Sequence, residues 1–373
     1  MNAQKPVFYS TGADKRPENA PDFFAFDASD GNMDYKKAKP LTTVALLFSD
    51  QSRNWELRFA PANSIIGCAQ TLDEMHIPYQ FISEDTLNPK QLSQFKVLCL
   101  GAATCLTESQ IQEIRAFAER GGTVIFEPLT ATRDHLGIER TAWPLKDIFG
   151  FELKAGYYAK QKVSGSKIAG NATQFLRPMD FMPPMGKDAL PNEYAGQVRL
   201  TLNDNTEVPA AYQRSLGKGR IIYIPARLTA RMYYEDFKGD DVTRFTYDMQ
   251  TAATLRFLLD ELLGPEARVI RTNAPSKVFI TCYQAGEATY LHLLNGLGSG
   301  NGKYLKAAPK DCFPPMEQEI TLTIHLPELH EVTAASPDFS GARKLAFQKN
   351  SDGSFTATLP KELLKVYTIV KMK

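Results

Sequence analysis

The sequence predicts an α/β protein: a doubly wound, mostly parallel sheet followed by an antiparallel β-sandwich. Between residues 42 and 128, apolar runs of strand length alternate with amphipathic helical segments across short loops. A glycine-turn hairpin and one long helix then close that region. Beyond Val269 the helical period disappears, and short alternating runs continue to the end.

Taken in order, residues 1–41 are polar and proline-rich, with no sustained period of two or 3.6, and are expected to form an arm or linker. Phe23, Phe24 and Phe26 could dock that arm onto a neighbour. "TTVALLFSD" (Thr42 to Asp50) is uninterrupted and apolar, as a strand buried on both faces must be. Ile65, Cys68, Ala69, Leu72 and Met75 follow at helical spacing, and "PYQFIS" is the second strand of a βαβ unit. "KVLCLG" (Lys96 to Gly101) is the third strand. Thr107 and Gln110 then form a capping-box pair ahead of a helix with an apolar face of Ile111, Ile114, Phe117 and Ala118. Gly121 and Gly122 stop that helix, and "TVIFEP" is the fourth strand.

Residues 151–209, rich in Gly, Pro and Met, are expected to be an irregular insertion with weak strand signals such as "QVRLTL". "AAYQRSLGKGRIIYIPA" (Ala210 to Ala226) predicts a hairpin turning at "GKG". The segment from Asp241 to Gly264 predicts a helix with Phe245, Met249, Ala252, Leu255, Leu259 and Leu262 along one stripe, ended by Gly264 and Pro265. Seven strand-like runs, from "KVFITCYQ" to "VYTIVKM", make up the sandwich. The domain division expected is 1–41, 42–267 and 268–373.

Composition narrows the function. Of 373 residues, 43 are Lys or Arg and 42 are Asp or Glu, leaving a net charge of +1 and no field with which to gather nucleic acid or an anionic membrane. No apolar run approaches the ~20 residues of a spanning helix, and no secretory leader is visible, so a cytoplasmic location is expected. Five scattered cysteines form neither a disulfide framework nor a zinc pattern, and no metal or cofactor is expected. His76, His135, His292, His325 and His330 never fall four residues apart, and read as structural. "SLGKGR" precedes a strand and is a hairpin turn, not a phosphate loop. "NAT" at Asn171 is a chance match to a glycosylation acceptor.

Several segments line up with a known family. "VALLFSDQSRNWELRF", "IIGCAQTLDEMHIPYQFISEDTL" and "FKVLCLGAATCLTESQIQEIRAFAERGGTVIFEP" resemble the flavodoxin-like, class I glutamine amidotransferase-like domain of family 42 β-galactosidases and related glycoside hydrolases, called the trimerisation domain. "SLGKGRIIYIPARLTARMYY" and "VFITCYQAGEATYLHLLNGLGSG" resemble the end of that domain and the small β domain after it. The resemblance implies an accessory, oligomer-building region whose partners are further copies of itself or a glycosidase barrel. Such a barrel holds the two catalytic glutamates and needs ~250 residues. With some 40 residues ahead of the first strand, the barrel is expected to lie outside this chain.

The candidate site is the C-terminal edge of the parallel sheet, where open α/β sheets bind ligands. Cys105 is the first candidate nucleophile. In class I amidotransferases, however, the nucleophile sits at a G-x-C-x-G elbow, which should here follow "TVIF". That position carries Glu127, Pro128 and Leu129, where proline removes an amide and leucine crowds the turn. Cys105 lies one loop earlier and reads as a small buried residue. Asp50, Arg53, Trp55, Glu84, Asp85, Glu127, Arg133, Asp134 and Arg227 would line the same edge. They suit a sugar or small acidic ligand, or else a subunit interface, the role the resemblance implies for Trp55. Two rival functions remain open: a stand-alone hydrolase of amides, esters or sugars using Cys105, or Glu127 with Asp134, and a carbohydrate-binding sandwich. The second is disfavoured because neither tryptophan lies beyond Trp143.

Overall fold

Apolar side chains on both faces of a parallel strand need cover on both sides, and the computed structural model of the chain supplies it. The structure describes Phe26 and residues 37–55, 60–153, 161–182, 192–193, 197–231, 233–238, 241–298 and 313–373. They fall into two compact units, one spanning 42–268 and the other combining the N-terminal arm with the chain after Val269.

The first unit is built on strands β1 (Val44–Phe48), β2 (Tyr79–Ser83), β3 (Val97–Gly101), β4 (Thr123–Phe126), β5 (Tyr212–Leu216) and β6 (Gly219–Tyr223), with helices α1 (Asp50–Trp55), α2 (Ala60–Glu74), α3 (Glu108–Glu119) and α4 (Met249–Leu263). The sheet order is β2-β1-β3-β4-β6-β5, followed by a short strand at Asn192–Glu193. The first five strands in that order are parallel, with Val44 paired to both Tyr79 and Val97, and Thr123 to both Val97 and Arg220. Alternate residues of each strand feed opposite cores. Val44 and Leu46 pack with Ile65, Cys68 and Leu72 of α2 and with Leu255 and Leu259 of α4. Ala45 and Leu47 face Ile111, Ile114 and Phe117 of α3.

Local chemistry sets the ends of these elements. Thr107 accepts from the Gln110 amide at 3.2 Å while its own amide donates to Gln110 Oε1 at 2.8 Å, which closes the expected capping box. The β5–β6 hairpin turns at Gly217, whose φ of +59° suits glycine. Asp248 caps α4 by accepting from the amides of Gln250 and Thr251.

Three expectations need correction. Helix α4 begins at Met249, so Phe245 belongs to the strand Asp241–Tyr247, and Met249 at the first helical position is 62% exposed. The β-branched and aromatic run "VTRFTY" favours a strand, and the Asp248 cap fixes where the helix can start. The stretch 151–209 is not irregular throughout. It contains a four-stranded antiparallel sheet of Glu207–Pro209, Val198–Leu202, Lys162–Ile168 and Asn171–Asp180, packed on α4 through Val163, Phe175 and Leu200. The run "QVRLTL" gave one of these strands, and small residues hid its neighbour: a Cβ at Gly165 would lie 2.2 Å from the Thr173 carbonyl oxygen, so the strand approach requires glycine where a pattern search expects an apolar side chain.

The arm, finally, is not wholly without regular structure. In the second unit, Lys39–Pro40 forms an edge strand antiparallel to Val278–Ala285, and Leu41 donates to the Cys282 carbonyl at 2.9 Å. Proline at that edge discourages further pairing. The six-stranded sheet so completed faces a four-stranded one across a core of Val278, Ile280, Leu291, Leu322, Ala357 and Val370. Phe26 is buried among Ala288, Tyr290, Ala335 and Ile369 and meets Tyr367 edge-on at 6.4 Å. Phe23 and Phe24 lie outside the described residues. Among the described residues, no helix is long and apolar enough to cross a membrane.

Replacing Phe26 by Ala should lower the stability of the second unit by about 3 kcal/mol, the lower end for deleting a buried phenyl ring. Denaturant unfolding, followed by hydrogen–deuterium exchange of the strands Ala288–Asn295 and Tyr367–Met372 that cover Phe26, measures it.

Candidate functional site at the sheet rim

Loops leaving β1, β3 and β4 meet at the C-terminal rim, and short polar side chains stitch them together. Ser52 on α1 accepts from the Cys105 amide at 2.9 Å, and Ser49 donates to Ser52 at 2.9 Å. Cys105 pairs in turn with Arg133 across an isolated parallel bridge. Cys105 is fully buried, as are Cys68, Cys99 and Cys282. A hydrogen bond with Cys99, and then burial, hold the Cys68 thiol well above its ordinary value, and burial alone pushes Cys282 up to about 12. These are conditions that suppress thiolate.

Glu84 is buried and caps α1: its carboxylate oxygens accept from the amides of Asp50 at 3.1 Å and Gln51 at 2.8 Å. Asp50 pairs with Arg53 at 3.0 Å on the solvent side, and the Arg53 guanidinium lies over the Phe48 ring at 5.8 Å. Asp85 is exposed in the short turn Glu84–Thr86. Asp134 faces its own loop, where Oδ1 accepts from the amides of Leu136 and Ile138, both at 2.9 Å. Arg133 donates to the Gly137 carbonyl at 2.8 Å. These contacts fold 134–138 into a compact knuckle against Trp55: Gly137 has φ +78°, and a Cβ there would lie 2.7 Å from the indole Cδ2. Trp55, Leu136 and Ile138 are left 55%, 54% and 60% exposed at one place on the rim.

Glu127 lies deeper, only 2% exposed. Ser64 of α2 donates to Oε2 at 2.6 Å, and Thr229 reaches the same carboxyl through its hydroxyl at 2.5 Å and its amide at 3.0 Å. Burial raises the Glu127 carboxyl above the usual range. These hydrogen bonds and the charge of half-buried Arg227 oppose the rise without cancelling it. Past Pro128, Leu129 and Ala131 both take positive φ, at 75° and 57°, so the bend keeps a left-handed geometry without glycine. Thr130 holds it by donating to the carbonyls of Gly101 and Glu127, while Trp143 Nε1 donates to Thr130 O.

The structure therefore brings Trp55, Arg133 and Asp134 together through one loop, and joins Cys105 to that loop by backbone. Glu127 and Asp134, weighed above as a catalytic pair, engage different partners. Ser64, Thr229, Leu136, Gly137 and Ile138 were not singled out from the sequence. "DHLGI" did carry a signal, since Asp followed three residues on by Gly marks a turn. No group of three or more His, Cys, Asp and Glu among the described residues is placed to hold a metal ion.

Comparison with known proteins identifies this architecture. The chain belongs to the β-galactosidase trimerisation domain family, whose profile matches residues 42–239; this is an accessory domain of glycoside hydrolases. Solved structures resemble it at low identity, which bears on fold alone. A β-galactosidase from Bacillus circulans sp. alkalophilus is 12% identical with a TM-score of 0.56, over 90% of this chain and 42% of that one. A GH42 β-galactosidase from G. stearothermophilus is 15% identical with a TM-score of 0.50, over 89% and 40%. An α-L-fucosidase, isoenzyme 2 from Paenibacillus thiaminolyticus, is 16% identical with a TM-score of 0.58, over 90% and 49%. The chain thus spans less than half the length of each. No curated protein sequence matches it.

Alkylation of the native chain followed by peptide mapping should leave Cys105 unmodified until denaturant is added. Rapid labelling of Cys105 in the native state would mark it as a reactive thiol instead.

Proposed function

We propose that this chain is the assembly region of a β-galactosidase-like glycoside hydrolase and supplies no catalytic group of its own. In this reading 42–267 is a flavodoxin-like, class I glutamine amidotransferase-like domain and 268–373 a β-sandwich joined to it. The strand order β2-β1-β3-β4-β6 supports the first assignment, because it is the order of flavodoxin-like sheets. The rim carries the functional argument. Where an amidotransferase would hold its nucleophile, Glu127 is buried and engaged by Ser64 and Thr229, and Pro128 has no amide to offer an oxyanion.

What the rim does offer is apolar. Trp55, Leu136 and Ile138 form an exposed cluster on a knuckle stiffened by Asp134 and Arg133, with Asp50 and Arg53 as a polar border. A central aromatic within a charged rim is the composition of a protein interface. A second copy of this chain is the occupant that the family's trimerisation role favours, with the barrel of the same hydrolase as the alternative partner.

Sedimentation velocity over a range of concentrations tests this. The wild-type chain should self-associate, and Trp55→Ala combined with Ile138→Asp should weaken association at least about tenfold, as loss of a central aromatic anchor does. A monodisperse wild-type monomer that also fails to bind an added barrel would contradict the reading.

A further inference from the structure

Ser64, Thr229 and Glu127 form a closed triangle of oxygens inside the first unit. The Ser64 hydroxyl lies 2.6 Å from Glu127 Oε2, the Thr229 hydroxyl 2.5 Å from the same oxygen, and the two hydroxyls 2.7 Å from each other. All three sides have hydrogen-bond length, and a proton between each pair of oxygens satisfies them all. An ionised Glu127 leaves two protons for three sides, one from each hydroxyl, and forces one pair of oxygens together with no hydrogen between them. A protonated Glu127 supplies the third.

We propose that Glu127 is carried as the neutral acid, its proton closing a ring of three hydrogen bonds that latches α2 and the Thr229–Arg231 turn to the end of β4. The proton stays on Oε2 and points to one hydroxyl, that hydroxyl donates to the other, and the last donates back to Oε2. Nothing is transferred, and the donors and acceptors balance. Oε1 remains an acceptor for the Thr229 amide at 3.0 Å.

The surroundings fit a neutral acid. Ser64 is fully buried, Thr229 is 5% exposed, and burial is the largest influence on the carboxyl, acting against its ionisation. Of the groups coupled to it, Arg227 after β6 carries positive charge and is the weakest influence. Cys68 on α2 and Tyr223 on β6 also face it; both are pushed toward their neutral forms, chiefly by a hydrogen bond with Cys99 for Cys68 and by burial for Tyr223, and negative charge on Glu127 would push both further the same way. The packing leaves little scope for relaxation: a Cβ at Gly67 would lie 2.1 Å from the Thr229 carbonyl oxygen, and one at Gly101 2.8 Å from Ser64 Oγ. The elements the ring joins are already in backbone contact, so an uncompensated charge has no easy way to reach water.

The sign of the pH dependence follows. A carboxyl whose folded pKa lies above its ordinary 4.5 contributes stability in full below that value and loses it as pH rises through the folded pKa. Glu127→Gln keeps a donor in the ring through its amide and removes the titration. The melting temperature of the Gln variant relative to wild type should therefore rise steadily with pH above 4.5. A difference that stays flat or falls would overturn the proposal.

Infrared spectroscopy gives a readout on the wild-type protein at about neutral pH. The difference spectrum against Glu127→Gln should show one protonated carboxylic C=O band, and Ser64→Ala should shift that band by removing one ring partner. If the Gln variant does not fold, wild type against Ser64→Ala alone should show a displaced carboxylic band. Carboxylate bands with no protonated C=O band at neutral pH would refute the neutral acid.

Discussion

The buried carboxyl of Glu127 is the point on which the rim of the parallel sheet is organised. It stands at the end of β4 and is hydrogen-bonded to α2 through Ser64 and to the turn after β6 through Thr229. Those three elements come from distant parts of the chain, and each approaches without clash because a glycine or a small side chain stands at the contact. A polar group so deep is tolerated when its hydrogen-bonding capacity is filled, and costs on the order of 1–3 kcal/mol when it is not. Local order at the rim therefore depends on a cluster that offers a substrate almost no surface.

Outward from that cluster the same loops change character. Leu129 and Ala131 hold strained backbone conformations, Thr130 and Trp143 pin them, and the chain then passes Arg133 to the knuckle at 134–138. Backbone strain of this kind is common where a fold holds a reactive group. Here it directs the loop to Trp55, and the exposed result is an aromatic and aliphatic surface. Under the function proposed above, a rim built this way is the surface that meets another protein.

Much of this fold was legible in the sequence wherever one residue type has one physical use. The buried strands "VALLF" and "TVIF", the Thr107–Gln110 capping box and the glycine turn at Gly217 all lie where the pattern put them. The pattern misled where backbone geometry replaced side-chain chemistry. The antiparallel sheet around Lys162–Ile168 depends on Gly165, which shows no apolar period, and the strand Asp241–Tyr247 shares a helix-like spacing with α4 until Asp248 caps it. At the rim, Pro128 announced the loss of an elbow amide. Ser64 and Thr229 were invisible as partners of Glu127 because they are 165 residues apart and joined only by the fold.

The central claim is that the Trp55 knuckle is a surface for assembly. Hydrogen–deuterium exchange of the native chain, compared between dilute and concentrated samples, addresses it most directly. The account requires amides in 51–55 and 134–140 to gain protection as concentration rises, with the interior strands unchanged. Unaltered exchange in both segments, in samples shown to be associated, would contradict it.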